Sequence, residues 1–286
     1  MFPVSNGMTP HIIFFGNSKY SVIDAQALKE HYGLSAVVTI PDRTDSHKKL
    51  APSPVKLFAQ KLNIPLLEAD KLTPDIIEQI KIYKPDFLVV ADYGLILPKT
   101  LLSVPIKTAL NIHHSLLPKY RGPAPAPAAI VNGDEVSGVS VIIMTDKVDA
   151  GDIVAQIPYT LTDDETTDSL LTKLNTLGSH AIIEVIEQYL TETIHPIKQD
   201  ETKATFTKYM TRQDGLIDLS ADAVLNWRKI RAYGDWPGTY FIATSKGKEI
   251  KVKIKSADFK NGVLSILKVT PENKREMSYE DFLRGL

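Results

Sequence analysis

Short apolar runs alternate with amphipathic stretches over the first part of the chain. The apolar runs are HIIFFGN (11–17), SAVVTI (35–40), DFLVVA (86–91) and TALNIH (108–113). Between them lie stretches typical of helices: Ser21–His31, 54–62, and a segment opening at Thr73-Pro74, where a capping residue precedes a first-turn proline. Strands that are apolar throughout and separated by helices predict a mostly parallel sheet covered on both faces. The predicted fold class is α/β.

The same domain continues to a long helix. After a Pro-rich loop come two more predicted strands, GVSVIIM (138–144) and DIVAQIPYTL (152–161), and a helix from about 167 to 190. Residues 191–208 are polar and aperiodic, which is typical of a linker. We therefore predict a first domain over 8–192, a linker over 193–208 and a second domain over 209–286.

The second domain has a different pattern. LSADAVLNWRKIRAY (219–233) predicts an amphipathic helix, and KEIKVKIKSADF (248–259) alternates lysine with apolar residues at the period of a half-buried strand. A further strand is predicted at GVLSILKV (262–269). The outward face of the alternating strand would carry three lysines: Lys251, Lys253 and Lys255. This domain is predicted to be small and mostly β.

Composition narrows the function classes. The 286-residue chain has no cysteine, which excludes a disulfide framework, a thiolate nucleophile and a cysteine-based zinc site. No apolar run reaches the roughly 20 residues of a membrane helix, and MFPVSNGMTP lacks the basic and apolar regions of a signal peptide. We expect a cytoplasmic protein with no membrane contact and leave open whether translation starts at Met1 or Met8.

Charge is distributed unevenly. Residues 1–202 contain 17 Lys and Arg against 24 Asp and Glu, whereas residues 203–286 contain 16 against 10. A basic excess of this kind is typical of a surface that approaches polyanions, and equally of an ordinary solubilising surface. Charge alone leaves both interpretations open.

The chain opens with a strand, a glycine and a helix, as dinucleotide-binding folds do. HIIFFGNSKYSV contains a single glycine, whereas the fingerprint needs G-x-G-x-x-G so that the backbone can approach a pyrophosphate closely. We therefore do not expect a nicotinamide dinucleotide.

Polar side chains converge instead at the end of TALNIH. Asn111 and His113 lie two apart on a strand and project from one face, at the sheet edge where open α/β folds bind ligands. We expect the loop TDKVDAGD to leave GVSVIIM at the same edge and to bring Asp149 or Asp152 beside His113. The spacing favours His113 over the adjacent His114.

An Asn, a His and an Asp together suit transfer of an acyl group to an amine with no protein nucleophile and no metal. Asn111 can donate to the oxyanion of a tetrahedral intermediate. Protonated His113 can stabilise that oxygen or protonate the leaving nitrogen, and the carboxylate can relay the proton of the amine through water. Each residue also has a structural explanation, because strand ends and turns commonly carry Asn and Asp, and a single histidine is more often structural than catalytic. Ser115 lacks the G-x-S-x-G setting of a serine hydrolase.

The motifs around these residues resemble those of the folate-dependent formyltransferase family. The resemblance rests on HIIFFGN, TIPDR with KKLAPSPVK, LVVADYGLILP, NIHHSLLPKYRG, NGD, GVSVIIM with DAGD, IRAYGDWPGTYF and PENKREMSYEDFLRG. Within the family, PDR with PSPVK and RAY with WP are similar to the tRNA-formylating branch. The resemblance implies a Rossmann-like formyltransferase domain followed by a small OB-like β-barrel. It also implies 10-formyltetrahydrofolate as co-substrate and initiator methionyl-tRNA as partner; we expect a monomer.

Residue roles follow from this resemblance by position. The catalytic trio would be Asn111, His113 and Asp149. The folate pocket would be lined by Asp92, Tyr93, Gly94, Leu95, Ile96, Leu97, Ser115, Leu116, Leu117 and Pro118, although core packing would explain the leucines equally well. The tRNA would be contacted by Arg43, Lys48, Lys49, Lys251, Lys253 and Lys255.

Three features depart from the family pattern. The sequence GPAPAP (122–127) stands where relatives usually have G-A-A-P-I-Q, and His114 stands where glycine is common. The stretch between KVKIKSADF and GVLSILKV is short, so we expect an abbreviated barrel.

Two alternatives remain. The first is the same chemistry with another acceptor, such as an amino-sugar nucleotide or glycinamide ribonucleotide, and the basic second domain argues against the latter. The second is a non-catalytic folate-binding or RNA-binding protein of the same fold, which the intact trio disfavours.

Overall fold

The computed structural model describes residues 9–44, 50–245 and 247–286, without the side chain of Arg43. The chain folds as two compact units. The first comprises Met1–Gly122, Gly138–Tyr159 and Thr172–Phe206, and the second comprises Pro123–Ser137, Thr160–Leu171 and Thr207–Leu286. Within the described residues, no helix is both long and apolar enough to cross a membrane.

In the described part of the chain, nine strands precede the long helix. They are β1 (Ile12–Gly16), β2 (Ala36–Thr39), β3 (Arg43–Thr44), β4 (Leu50–Ala51), β5 (Leu66–Glu68), β6 (Phe87–Ala91), β7 (Thr108–His113), β8 (Val136–Ile143) and β9 (Ile153–Thr160). Seven of them form one sheet in the order β5-β2-β1-β6-β7-β8-β9, and β3 pairs with β4 in a separate two-stranded sheet. Strands β5, β2, β1, β6 and β7 pair in parallel. The predicted α/β class with a mostly parallel sheet is confirmed.

The helices of this part are α1 (Ser21–His31), α2 (Pro54–Lys61), α3 (Pro74–Ile82), α4 (Lys99–Leu102), α5 (Pro125–Asn132) and α6 (Thr167–Leu190). Local sequence explains where α2 starts, because Ser53 Oγ accepts from Lys56 N at 3.0 Å and Pro54 occupies the first turn.

Helix α5 occupies residues that the sequence predicts to be loop. Pro125 and Pro127 both lie in its first turn, where backbone N–H groups have no partner within the helix, so proline costs no hydrogen bond there. Gly133, with φ 71°, ends the helix in the left-handed conformation that glycine adopts easily.

The sheet of the first unit has an apolar layer on each face. Alternate residues of β1 divide between them: Ile12 and Phe14 belong to one buried cluster, and Ile13 and Phe15 to the other. Gly178 of α6 allows close packing, since a Cβ there would lie 2.6 Å from Ile112 Cγ2. Burial on both faces explains why β1 and β6 are apolar throughout.

Part of the predicted linker lies in the first unit. Ile197 and Ile153 exchange two backbone hydrogen bonds of 2.8 Å each, and Arg121 N donates to Thr205 O at 2.8 Å. A polar, aperiodic sequence does not reveal such an attachment, because its bonds are made by backbone and by scattered side chains.

Besides α5, which lies within Pro123–Ser137, the second unit contains an antiparallel sheet with a helix before it and a helix after it in the chain. These later elements are α7 (Ala223–Tyr233), β10 (Tyr240–Ser245), β11 (Lys248–Lys260), β12 (Val263–Pro271), β13 (Met277–Ser278) and α8 (Tyr279–Arg284). The strands follow the order β10-β11-β12-β13. An OB-like barrel has five strands. The described sheet has one strand fewer, in keeping with the abbreviated barrel that we predict.

The period-two pattern of β11 is confirmed. Val252 and Ile254 are buried with Phe241 in the core of the second unit. Asn261 and Gly262, with φ of 50° and 80°, connect β11 to β12 in the positive-φ turn that suits a tight hairpin.

Candidate active site

Two polar side chains of β7 meet a carboxylate from a later loop. Asn111 Nδ2 donates to Asp149 Oδ1 at 3.2 Å, and His113 Nδ1 lies 3.6 Å from Asp149 Oδ2. The side chains of His113 and Asp149 are 7% and 14% exposed. The structure therefore brings the three predicted residues together, and of the two candidate carboxylates it is Asp149 that makes these contacts.

The loop that carries Asp149 reaches the site by a route we did not predict. Strand β8 is antiparallel to β7, and Ile143 near its end pairs with Leu110, three residues before His113. The expectation that this loop leaves at the same edge as His113 is therefore wrong. The loop instead folds back, with Ile143 N donating to Asp152 O at 2.9 Å. Strand direction is set by the chain connection, which periodicity does not reveal.

Two hydrogen bonds hold Asp149, one to its carboxylate and one to its backbone carbonyl. Gly122 N donates to Asp149 Oδ2 at 2.8 Å, and the carbonyl of Asp149 accepts from Gln199 Nε2 at 2.8 Å. Asp149 has φ 50°, in the left-handed region that few residues other than glycine, Asn and Asp adopt readily. This conformation is therefore held by contacts on both its side chain and its carbonyl.

The imidazole of His113 is oriented through both nitrogens. His113 Nε2 lies 2.9 Å from Tyr120 O. Because a carbonyl oxygen only accepts, Nε2 carries the hydrogen in this contact. Nδ1 then faces Asp149, and protonation of Nδ1 would direct a second N–H toward the carboxylate.

His114 belongs to a second buried contact. His114 Nδ1 lies 3.5 Å from Asp92 Oδ1, and Asp92 Oδ2 accepts from Ser18 Oγ at 2.7 Å. Burial lowers the pKa of His114, with Asp92 acting in the opposite direction. His114 thus supports the loop after β6 and is not part of the trio, as its spacing predicts.

The loop predicted to line the folate pocket divides into buried and accessible residues. Tyr93 and Leu97 are buried at 2% exposure each and pack in the core, and burial raises the pKa of Tyr93 to about 12. Ile96 is 74% exposed, Gly94 is exposed and Leu95 is partly exposed. The second set offers surface to a ligand, as does Asp92, whose side chain is 26% exposed.

The loop after β7 is tied down in a similar way. Ser115 is 1% exposed and its hydroxyl donates to Lys119 O at 2.6 Å, while Leu117 is also buried. Leu116 and Pro118 are partly exposed, and the Leu117-Pro118 peptide is cis. Of the four predicted folate residues in this loop, two, Leu116 and Pro118, have side chains that a ligand could reach.

The predicted tRNA-contacting residues of the first unit lie in or next to a segment outside the described residues. Lys48 and Lys49 lie outside the described residues, as does the side chain of Arg43, whose backbone belongs to β3.

The predicted lysines of the second unit all lie on β11. Lys253 and Lys255 are exposed, and Lys251 is partly buried with Nζ 3.4 Å from the centroid of the Tyr240 ring. Burial and then the charge of Lys253 lower the pKa of Lys251. Two of the three ammonium groups are therefore free to face solvent.

Sequence reasoning missed Asn17. Its Oδ1 accepts from Thr39 Oγ1 and Ile40 N, each at 2.9 Å, and its Nδ2 donates to the carbonyls of Asp92 and Tyr93. Asn17 thus ties together the carboxyl ends of β1, β2 and β6. Its place directly after a buried strand, at the edge where open α/β sheets bind ligands, is the signal that could have identified it.

Sequence reasoning also missed Gln199 and the carbonyl of Tyr120. Gln199 lies in the predicted linker, and Tyr120 takes part through its backbone, so neither has a residue pattern that points to the site.

Comparison with known proteins identifies the family of the chain. A formyl transferase family model matches residues 11–186, and a formyl transferase C-terminal domain model matches residues 209–262. In an alignment of 305 positions, the chain is 35% identical to a methionyl-tRNA formyltransferase of Roseiflexus sp. (strain RS-1). The alignment covers 98% of this chain and 93% of that protein.

Solved structures agree at the level of the fold. A methionyl-tRNA formyltransferase from Clostridium thermocellum superposes with a TM-score of 0.62 at 18% identity, over 94% of this chain and 99% of that chain. An N-formyltransferase from Helicobacter canadensis, in complex with folinic acid and dTDP-3-aminofucose, gives 0.65 at 16% identity over 88% of each chain.

Proposed function

The chain belongs to the formyl transferase family, and we propose that it transfers the formyl group of 10-formyltetrahydrofolate to the α-amino group of methionine on initiator methionyl-tRNA. The observation that carries the proposal is the contact of Asn111, His113 and Asp149 inside the matched region 11–186. The choice of acceptor is supported by 35% identity, over 98% of the chain, to a relative named for that reaction.

The transfer forms one carbon–nitrogen bond and breaks another. The amine attacks the formyl carbon and gives a tetrahedral intermediate with a negatively charged oxygen. Collapse expels N10 of the folate, which takes up a proton, and the amine loses one. The enzyme must therefore stabilise an oxyanion and move a proton between two nitrogens.

Each member of the trio has a group suited to one of these tasks. Asn111 Nδ2 uses one N–H for Asp149 and has a second for the oxyanion. His113, when protonated, supplies positive charge beside the same site. Asp149 is held with one carboxylate oxygen on Asn111 and the other on Gly122 N, so it can accept the proton of the amine through water without losing its position.

Accessible residues of two loops would hold the folate. Gly94, Leu95 and Ile96 present backbone and apolar surface after β6, and Leu116 and Pro118 do so after β7. The buried residues of the same loops, including Tyr93, would act by keeping the loop backbones in place.

The exposed ammonium groups of Lys253 and Lys255 suit contacts with phosphate, which position a nucleic acid without reading its sequence. The tRNA contact assigned to Arg43, Lys48 and Lys49 in the first unit is part of the same proposal.

A single-turnover transfer assay tests the proposal. Formyl-labelled 10-formyltetrahydrofolate is mixed with excess enzyme and one of three acceptors: charged initiator tRNA, uncharged initiator tRNA or an amino-sugar nucleotide. We expect label on the charged tRNA alone. Label on the sugar nucleotide would replace the acceptor while keeping the chemistry, and transfer to none of them would favour a non-catalytic protein.

A further inference from the structure

The segment predicted to link the two domains, 193–208, makes hydrogen bonds on two sides of the candidate site. One side is the loop that carries Asp149, and the other is the loop after β7, whose backbone contacts His113 and Asp149. Near its start, Ile197 exchanges backbone hydrogen bonds with Ile153, just after the Asp149 loop. Near its end, Thr205 Oγ1 accepts from Tyr120 N at 2.8 Å, and Thr205 O accepts from Arg121 N at 2.8 Å. The segment therefore spans from one loop to the other.

Gln199, between these two attachments, bonds to both loops through its side chain. Its Nε2 donates to Asp149 O at 2.8 Å and to Gly151 O at 2.7 Å. Its Oε1 accepts from Arg121 Nε at 3.0 Å and from Arg121 Nη2 at 2.8 Å. A glutamine amide has two donor hydrogens and two acceptor sites, and all four are used here. The orientation of the amide is fixed as well, because a flip would set its oxygen against two carbonyl oxygens.

Arg121 completes the connection from the other side. Its side chain is 3% exposed, and its remaining edge makes a two-bond contact with Glu201, at 2.9 Å for Nη1 and 2.8 Å for Nη2. The hydrogen bond from Arg121 lowers the pKa of Glu201. Gln199 and Glu201 thus bind the Arg121 guanidinium along two of its edges and fix its orientation.

The backbone on either side of Arg121 contacts the trio. Tyr120, which precedes it, accepts from His113 Nε2, and Gly122, which follows it, donates to Asp149 Oδ2. A shift of Arg121 would therefore move a partner of His113 and a partner of Asp149 together.

We propose that Gln199 is a positioning residue for the transfer reaction. Together with Arg121, Gln199 keeps the Asp149 carboxylate within contact distance of Asn111 and His113. This inference rests on the proposed function. Asp149 adopts the left-handed conformation, with φ 50°, and the bond from Gln199 to its carbonyl holds that conformation.

The substitution Gln199→Glu separates the two halves of this contact. A glutamate still accepts from Arg121, but it has no hydrogen to donate to the carbonyls of Asp149 and Gly151. We expect kcat to fall by roughly 10²-fold, because a displacement of about 1 Å at a catalytic group has that effect. The KM values for folate and tRNA should stay within about threefold, since no substrate contact is removed. Gln199→Ala should act in the same direction, and it serves as the second variant if the glutamate does not fold.

Lys198→Ala is the matched control, because Lys198 is the exposed neighbour of Gln199 on the same segment. It should leave kcat and KM unchanged. A double-mutant comparison gives a readout that general destabilisation would not produce. If Gln199 acts through Asp149, Gln199→Glu should cost little further in an Asp149→Asn background.

Hydrogen exchange of residues 145–152 supplies a measure independent of turnover. We expect faster exchange in Gln199→Glu than in the wild type, with the rest of the first unit unchanged. If the wild type transfers formyl to no acceptor, the proposed function fails while this measurement still tests the positioning role. Unchanged exchange, a raised KM at constant kcat, or an effect that adds fully to Asp149→Asn would overturn the inference.

Discussion

Gly151→Ala tests whether the fold-back of the Asp149 loop controls the reaction. An alanine Cβ at this position would lie 1.7 Å from Ile143 O, whereas real Cβ contacts essentially never fall below 3.0 Å. Because Ile143 O is a backbone atom of a strand, it cannot rotate away as a side chain could. The loop at residue 151 must therefore move away from Ile143 by more than about 1 Å. That retreat would stretch the bond from Gln199 Nε2 to Gly151 O, now 2.7 Å, and move Asp149 away from Asn111.

A retreat of this size predicts a loss of roughly 10²-fold in the transfer rate, or about 2.7 kcal/mol of transition-state stabilisation. The rate is measured under single-turnover conditions with charged initiator tRNA, and thermal unfolding is followed in parallel. Gly285→Ala is the control, because a Cβ there meets its nearest neighbours at an ordinary 3.6 Å. A Gly151→Ala enzyme that is folded and transfers formyl at the wild-type rate would refute the reasoning.

Three further predictions concern the trio, a buried carboxyl and the basic strand. His113→Ala and Asp149→Asn should each lower kcat by roughly 10²-fold or more, measured by single turnover on folded protein; a near wild-type rate for either would remove it from the mechanism. Asp24 is fully buried, and neither oxygen has a hydrogen-bond partner among the described residues, so burial raises its pKa. The folded chain therefore keeps a proton that the unfolded chain releases above about pH 4, and stability should fall by up to about 1.4 kcal/mol per pH unit until the folded pKa is passed. Asp24→Asn should remove this loss when urea unfolding is compared at increasing pH above about 4, and an identical pH dependence of the two proteins would show that Asp24 is ionised in the fold. Changing Lys253 and Lys255 to Gln should weaken tRNA binding and reduce the salt slope by up to roughly two, with the KM for folate unchanged; an unaltered slope would leave them as solvated surface charges.

The sequence predicts the buried part of the fold well. Strands β1 and β6 are buried on both faces, so their apolar runs are visible without any knowledge of their neighbours. The start of α3 is predicted correctly because Thr73 and Pro74 form a local signal for the beginning of a helix. The period of β11 was equally clear, because one face packs in a core and the other carries lysine.

The direction of β8 and the helix α5 were not predicted, for different reasons. Periodicity reports which residues are buried and says nothing of strand direction, which depends on the intervening connection. Helix α5 was hidden by Pro125 and Pro127, since prolines suggest a loop unless both fall in a first turn.

At the candidate site, Asn111, His113 and Asp149 were identified from spacing and from the family resemblance, and the structure brings them together. Their supporting contacts were not foreseeable. Gln199 lies 50 residues after Asp149 in a segment without periodicity, and Tyr120 contributes only its carbonyl.

The measurement that tests the central claim most directly is identification of the product on the acceptor. Initiator methionyl-tRNA is incubated with the enzyme and 10-formyltetrahydrofolate, the amino acid is released from the tRNA, and its mass is determined. The account predicts N-formylmethionine from the wild type and unmodified methionine from Asp149→Asn at the same short time. Unmodified methionine from the wild type, under conditions where another amine becomes formylated, would contradict the proposed acceptor.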